Sequence, residues 1–188
     1  MPLISARALA CLAFGLAAAL SLPAWAQKVR LTTSHGDIVL QLDAEKAPKT
    51  VANFVQYVQA GQYSGTVFHR VIDGFMIQGG GFSADMVEKP TRAPIPLESG
   101  KGLSNLTGTV AMARTNSPNS ATAQFFINVA DNLRLDGTGD GTGYAVFGKV
   151  VEGQDVVDRI RVVPTGNKAG FQNVPQQTIT IQKATLEK

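Results

Sequence analysis

A cation and an amide stand out in the largely apolar stretch 68–81, FHRVIDGFMIQGGG. Arg70 carries a guanidinium, which stays charged at any ordinary pH and offers several hydrogen-bond donors in a rigid fork. Such a group can stabilise an electron-rich atom by hydrogen bonding alone, without a covalent step. The amide, Gln78, follows eight residues later. The alternative interpretation is that both side chains simply occupy the solvated side of a sheet.

Alternation along a strand predicts how the first part of this stretch is arranged. Successive side chains point to opposite faces, so Phe68 and Arg70 are expected on one face and His69 and Val71 on the other. His69 is therefore predicted to be a packed or hydrogen-bonded structural histidine and not a catalytic one.

The Asp-Gly pair at 73–74 predicts a turn that brings the second part of the stretch back beside the first. In that second strand Met76 and Gln78 share a face that Ile77 does not share. The stretch is therefore predicted to be a hairpin that presents Arg70, Met76 and Gln78 on one surface.

The first 26 residues have the three regions of a secretory signal peptide. Arg7 precedes an apolar run at 8–22, and the small-x-small sequence Ala-Trp-Ala follows at 24–26. We expect cleavage after Ala26. A retained membrane anchor would need roughly 20 apolar residues, and a lipid-modified Cys11 would lie before most of the apolar run, so both alternatives are weaker.

Removing residues 1–26 leaves a mature chain with few special chemical groups. The removed segment holds the only Cys, the only Trp and one of the 17 basic residues, which leaves a net charge of +2 against the 14 acidic residues. That charge is too small and too evenly spread for a nucleic-acid or membrane footprint. With two histidines and no cysteine left, we expect no metal site, disulfide or thiol chemistry.

The mature chain alternates short strands with two helices. Apolar residues at helical spacing predict one helix over 48–60, begun by Pro48, and another over 155–161. The segment 79–108 has no clear periodicity, and a loop of that length in a compact domain is usually functional or packed around something. Besides the hairpin, strands are predicted at 29–33, 38–42, 109–113, 124–129, 144–150 and 178–184.

Two adjacent aromatic residues, Phe125 and Phe126, must lie on opposite faces of the strand at 124–129. One of them is expected in the core, and the other in a second core or a groove. About eight short strands and two helices in one domain predict a closed or nearly closed β barrel capped by helices.

Four separated motifs resemble one family. They are FHRVIDGFMIQGGG at 68–81, AMAR at 111–114, QFFINVADNLRLDG at 124–137 and YAVFGKVVEG at 144–153. In this order they resemble the cyclophilin family of peptidyl-prolyl cis-trans isomerases, and the bacterial periplasmic members with shorter loops match best. The resemblance runs over about 29–186, essentially the whole mature chain.

The resemblance implies a mainly β fold, a closed eight-stranded antiparallel β barrel capped by two α helices, formed by one domain at 27–188. It implies an isomerase that needs no cofactor and no metal. We expect a periplasmic monomer that acts on proline-containing peptides and unfolded exported proteins. We expect it to bind no nucleic acid and to keep no stable membrane association after signal cleavage.

The chemistry of such an isomerase requires no broken bond. Rotation about a peptide bond costs about 18–20 kcal/mol because resonance ties the nitrogen lone pair to the carbonyl. As the bond twists, the nitrogen regains its lone pair, so a donor aimed at that nitrogen stabilises the transition state selectively. By resemblance, Arg70 is that donor, and Gln78 is the amide that holds the substrate backbone.

The other residues that match the family's proline pocket and peptide groove come from all four motifs. They are Phe75, Met76, Ala113, Arg114, Gln124, Phe126, Arg134, Leu135 and Tyr144. Tyr144 stands where many members have a histidine, and backbone groups near Arg114 are expected to pair with the extended peptide.

Arg134 departs from the family pattern, because many members have an aromatic residue at the matching position. Its methylenes could cover the rim of the proline pocket while its charge stays in water, so we expect isomerase activity to persist. Binding of cyclosporin, which in the family depends on a Trp at this position, is expected to be weaker.

Two other classes of protein compete with the isomerase. A peptide-binding holdase could keep the barrel and lose catalysis, but the presence of Arg70, Phe75 and Gln78 argues against that loss. A barrel that binds a small ligand would need an enclosed apolar cavity, whereas Phe125 and Phe126 indicate a filled interior with a groove outside it.

Overall fold

A computed structural model describes residues 27–187, and the predicted signal peptide lies outside the described residues. No helix in this part of the chain is both long and apolar enough to cross a membrane. The strands are β1 (Lys28–Thr33), β2 (Gly36–Leu42), β3 (Thr66–Ile72), β4 (Met76–Ser83), β5 (Thr109–Met112), β6 (Phe125–Asn128), β7 (Val146–Glu152), β8 (Thr165–Lys168), β9 (Phe171–Pro175) and β10 (Thr180–Glu187). The helices are α1 (Pro48–Gln59) and α2 (Gln154–Arg161), and a single 3-10 turn covers Leu133–Leu135.

Eight of the strands close into an antiparallel barrel. Their order is β1-β10-β3-β4-β6-β5-β7-β2, and pairing of β1 with β2 completes the circle. The predicted eight-stranded barrel with two helices is confirmed. The order places β3, β4, β6 and β5 side by side, so residues from all four motifs of the sequence meet on or beside one wall of the barrel.

Each helix buries one apolar face against the barrel. In α1 the missing N–H of Pro48 costs nothing at the first turn, and the backbone N–H groups of Lys49 and Thr50 donate to the Glu98 carboxylate at 3.3 and 2.8 Å. Glu98 belongs to the long segment between β4 and β5, so part of that segment serves to cap a helix. The residues of α2 that join the main core are Val156, Val157 and Ile160.

Aromatic rings fill the interior of the barrel. The centroid of Phe54, from α1, lies 5.0 Å from that of Tyr63, 5.6 Å from that of Phe125 and 5.0 Å from that of Phe147. All four side chains are fully buried. The interior is therefore a packed core, as the placement of Phe125 and Phe126 on opposite faces predicted.

The predicted faces of Phe68 and His69 are wrong, and a bulge in β3 is the reason. Phe68 pairs with Gly79 and Arg70 pairs with Gln78, so β3 holds one more residue than β4 between these two pairs. The extra residue breaks the two-residue alternation. Phe68 consequently lies in the core, while His69 joins Arg70 in the wall of an outer pocket.

A hairpin of β8 and β9 was not predicted from the sequence. The hairpin has the sequence TGNKAGFQNVP at 165–175, which shows no alternation of apolar and polar side chains. A barrel strand needs that alternation to separate its two faces, but this hairpin packs beside β3 and does not join the barrel. Its turn is formed by Ala169 and Gly170, both at positive φ. Such a turn suits a two-residue connection between antiparallel strands.

Candidate active site

A small apolar cluster lies on the outer face of the barrel wall, separate from the main core. Its buried members are Met76, Ala111, Phe126 and Val146, from β4, β5, β6 and β7. The partly buried residues that pack around them are Ile72, Phe75, Leu103, Ala113, Leu135 and Tyr144. This cluster brings together six predicted site residues and offers an apolar surface to a ligand on the outside of the barrel.

The predicted alternation of side chains between the two faces of β6 explains why this cluster exists. Phe125 and Ile127 point into the main core, whereas Phe126 points outward and contacts the ring of Tyr144 at a centroid distance of 5.6 Å. Ala111 pairs with Phe126 across the sheet, so a small residue leaves room beside the Phe126 ring. The alternation inferred for this strand is confirmed.

A row of polar side chains crosses the barrel wall beside this cluster. Arg70 Nη1 donates to Gln78 Oε1 at 3.4 Å, and Gln78 Nε2 donates to Gln124 Oε1 at 3.0 Å. The Nε2 atom of Gln124 then lies 3.5 Å from Oε1 of Glu88. Within residues 27–187 Arg70 forms no salt bridge, so no carboxylate is paired directly with its charge.

His69 is buried beside Arg70 on the same outer side of β3. Its ring packs against that of Phe82 at a centroid distance of 4.6 Å, and its Nδ1 atom has no hydrogen-bond partner among residues 27–187. Burial, helped by the positive charge of Arg70, lowers the pKa of His69 to about 4, although the backbone of Val67 acts in the opposite direction. His69 is therefore neutral at neutral pH and does not compete with Arg70 as a cation.

Arg114 and Tyr144 form one side of the site. Arg114 Nε donates to the Gly143 carbonyl and Nη1 to the Thr115 carbonyl, both at 2.9 Å. The guanidinium carbon lies 4.7 Å from the centroid of the Tyr144 ring. The side chain of Arg114 thus braces this wall through two backbone carbonyls and the Tyr144 ring.

Arg134 and Leu135 reach the site from the 3-10 turn. The guanidinium carbon of exposed Arg134 lies 5.0 Å from the centroid of the Phe75 ring, and Leu135 packs against the apolar cluster. An arginine over an aromatic face keeps its charge in water while its stem covers apolar surface. Arg134 therefore lies as a cation over the ring of Phe75.

Sequence reasoning missed the buried amides that hold this turn in place. Asn132 Nδ2 donates to the Phe75 carbonyl and to Asn128 Oδ1, both at 2.8 Å, and Asn128 Nδ2 donates to Asn105 Oδ1 at 3.2 Å. Asn105 also contacts Asp136, directly after the turn. All three asparagines are buried, and the only signal in the sequence was their recurrence next to the apolar motifs.

The chain is similar in sequence to known isomerases. The chain matches a family model described as cyclophilin type peptidyl-prolyl cis-trans isomerase over residues 28–186. It is 59% identical over 161 residues to peptidyl-prolyl cis-trans isomerase cyp18 of Streptomyces antibioticus, covering 84% of this chain and 97% of that protein. It is 52% identical over 161 residues to peptidyl-prolyl cis-trans isomerase B of Escherichia coli, covering 84% and 98%.

The fold is also similar to that of solved structures. A cyclophilin type peptidyl-prolyl cis-trans isomerase of Cryptosporidium parvum superposes with a TM-score of 0.71 at 28% identity, covering 86% of this chain and 98% of that one. The same protein has been solved in the presence of the dipeptide Ala-Pro.

Proposed function

The chain belongs to the cyclophilin-type family and is a peptidyl-prolyl cis-trans isomerase acting on proline-containing peptides, and from this premise we propose that Arg70 catalyses the rotation. In this proposal the guanidinium donates to the prolyl nitrogen as the peptide bond twists. The setting of Arg70 carries this proposal: the side chain lies beside the apolar cluster, is hydrogen-bonded to Gln78, and has no carboxylate partner among residues 27–187.

The proline ring is proposed to sit on the apolar cluster. Phe75, Met76, Phe126 and Leu135 would surround it, so that burial of the ring fixes the substrate while the peptide bond stays at the polar row. Holding the ring and leaving the acyl side free to turn is what a rotation requires, because the two sides of the bond must move relative to each other.

Gln78 has two proposed tasks. Its Oε1 accepts from Arg70 and its Nε2 donates to Gln124, so the amide is fixed in orientation by both neighbours. The fixed amide in turn holds the Arg70 guanidinium in place, so the site need not reorganise when the prolyl nitrogen becomes pyramidal. This preorganisation favours the transition state over the planar ground state. Gln78 would also hold the substrate backbone next to the twisting bond.

The wall formed by Ala113 and Arg114 is proposed to bind the rest of the peptide. The Ala113 N–H donates to the Gln124 carbonyl at 2.9 Å, and beyond this bond the chain leaves β5 as a loop on the outside of the barrel. An extended peptide can pair with backbone groups that the pairing of strands leaves free. Tyr144 and Arg134 close the two sides of the groove and set its width.

The cellular role proposed is assistance in the folding of exported proteins. The predicted signal peptide supports a periplasmic location, where the protein would act as a monomer on unfolded, proline-containing clients. Prolyl bonds interconvert over tens to hundreds of seconds without a catalyst, which is slow enough to limit folding.

A protease-coupled assay on a short proline peptide tests the enzyme against the holdase. We expect the purified protein to accelerate isomerisation and Arg70→Ala to lower kcat/KM by on the order of a hundredfold, the loss typical of one electrostatic donor in a transition state. A protein that binds unfolded clients and suppresses their aggregation, yet leaves the isomerisation rate unchanged, would be a holdase.

A further inference from the structure

We propose that the pocket between Arg70 and the β8–β9 hairpin is a second substrate subsite, which binds an aromatic side chain close to the proline of a peptide. The pocket has a volume of about 460 Å³. It shares Arg70, Gln78 and Gln124 with the polar row but none of the residues of the apolar cluster. It therefore lies on the other side of the row from the proposed seat of the proline ring.

The outer wall of this pocket is fixed before any ligand arrives. Lys168 Nζ, in the hairpin, donates to the Ala84 carbonyl at 3.0 Å. The Gln176 N–H donates to the Pro164 carbonyl at 2.9 Å and ties the two ends of the hairpin together. Because both ends of this wall are already held, it loses little conformational entropy when a ligand binds. This low cost favours ligand binding in the pocket.

A series of aromatic rings lines the pocket and ends at a ring that is partly open to solvent. His69 contacts Phe82, and the Phe82 ring lies 5.0 Å from that of Phe171 in an edge-to-face arrangement. Phe171 is one of the few large apolar side chains on this surface, and it remains 37% exposed. A further ring from a ligand would continue the series and cover the exposed part of Phe171.

The charges and amides around the pocket define the rest of the ligand. Arg70 is the one ionised group among the lining residues at neutral pH, because the low pKa of His69 leaves that ring uncharged. The positive charge of Arg70 disfavours a lysine or arginine side chain placed beside it. The side chains of Gln172 and Asn173 make no hydrogen bond to other described residues and can donate to carbonyl groups of a peptide backbone.

This subsite rests on the proposed function, since its ligand is the peptide whose proline is isomerised. The test uses the purified protein and alanine-based peptides with one central proline. Phenylalanine, aspartate or lysine is placed in turn at each of the three positions on either side of the proline. The quantity measured is kcat/KM for each peptide relative to the alanine parent.

We expect phenylalanine at one position to raise kcat/KM by roughly three- to tenfold, the contribution of one aromatic contact. Phe171→Ala should remove most of that gain. Phe171→Leu, which keeps an apolar side chain on the hairpin and guards against loss of folding, should remove most of it as well. Val162→Ala truncates an exposed apolar residue outside this pocket and should keep the full gain.

The outcomes separate the subsite from the function. Activity on the alanine peptide without any gain from phenylalanine would overturn the subsite alone, as would a gain that survives in both Phe171 variants. A larger gain from aspartate or lysine would also overturn the assignment to aromatic side chains. Inactivity on every peptide would instead overturn the proposed role of the whole site.

Discussion

At the level of single residues, the proposed catalysis depends on a guanidinium that keeps both its charge and its orientation. Arg70 is half-buried beside an apolar cluster, and its observed partner is the neutral oxygen of Gln78. A carboxylate at that position would hold the side chain more firmly, but it would also offset the charge that stabilises the twisted bond. The amide fixes the geometry without this loss.

His69 should be the residue that makes the fold sensitive to acid. Its pKa is about 4 in the folded protein and about 6.5 in an unfolded chain, so protonation favours unfolding. The free energy of unfolding should be unaffected by His69 above pH 6.5 and should fall as the pH drops from 6.5 to 4, by about 3 kcal/mol at most. An NMR titration of the imidazole checks this directly.

His69→Gln removes the titrating group and supplies the comparison. Urea unfolding of both proteins between pH 4 and 7.5 should show a weaker loss of stability in the variant. A His69 imidazole that titrates near 6.5 in the folded protein would contradict the buried, neutral state described above.

Arg134 should matter more for inhibitor binding than for catalysis. Arg134→Trp replaces the cation over Phe75 by the aromatic residue that many family members carry, and we expect cyclosporin affinity to rise by on the order of tenfold through aromatic contact. Arg134→Ala should retain isomerase activity within a few-fold. Calorimetric titration measures the affinity; an unchanged affinity in Arg134→Trp would show that this position does not limit cyclosporin binding.

Much of the site could be predicted from local sequence. The outward placement of Phe126 and the shared face of Met76 and Gln78 follow from strand alternation, and both are confirmed. The side of the sheet taken by His69 could not be predicted, because a bulge depends on how β3 pairs with β4. No pattern within β3 itself marks the extra residue.

At the level of elements, the bulge and the 3-10 turn place side chains at positions that regular strands could not reach. The bulge turns Arg70 and His69 to the same side of β3, so the cation stands between the apolar cluster and the second pocket. The turn carries Arg134 and Leu135 to the rim of the site, and buried asparagines connect it to the sheet. Both devices depend on contacts distant in sequence.

Asn132 should position the proline pocket without touching substrate. Asn132→Ala removes the donors to the Phe75 carbonyl and to Asn128, and we expect unfolding to become easier by about 1–3 kcal/mol. Because Phe75 and Leu135 would lose their fixed separation, KM should rise more than kcat falls. Steady-state kinetics and thermal unfolding measure the two effects.

Asn132→Asp is the matched control, since it keeps the shape of the side chain and loses its donors. If the donors matter, the aspartate variant should resemble the alanine variant. Wild-type kinetics in Asn132→Asp would mean that shape alone positions the pocket.

The β8–β9 hairpin is the element that the sequence least revealed. Its strands are four and five residues long, and most of their side chains are exposed or half-exposed, so the period of two that marks a barrel strand is absent. Its position is set by contacts with β3 and by the Phe82–Phe171 pair. Such contacts become visible only when the whole fold is assembled.

At the scale of the whole molecule, the barrel works as a rigid frame with its chemistry outside. Aromatic rings fill the interior, and both the apolar cluster and the second pocket lie on the outer surface. The architecture was predictable because about eight short strands with two helices allow few arrangements in one domain. The exact pairing order depends on connections that local patterns do not encode.

Export should remove the first 26 residues. N-terminal sequencing of the protein recovered from a periplasmic fraction should begin at Gln27. A chain that keeps Met1 and fractionates with the cytoplasm or the membrane would contradict the predicted signal peptide and the proposed cellular role.

We propose that Arg70 stabilises the twisted bond more than it stabilises the bound peptide. NMR exchange spectroscopy on a proline peptide measures both quantities, the cis-trans rate in the complex and the dissociation constant, for the wild type, Arg70→Ala and Arg70→Lys. We predict that Arg70→Ala slows the bound-state rate by on the order of a hundredfold and changes Kd by less than about fivefold. Arg70→Lys, which keeps the charge and loses the fork, should fall between the two. A variant that binds much more weakly but isomerises its bound peptide at the wild-type rate would contradict the account.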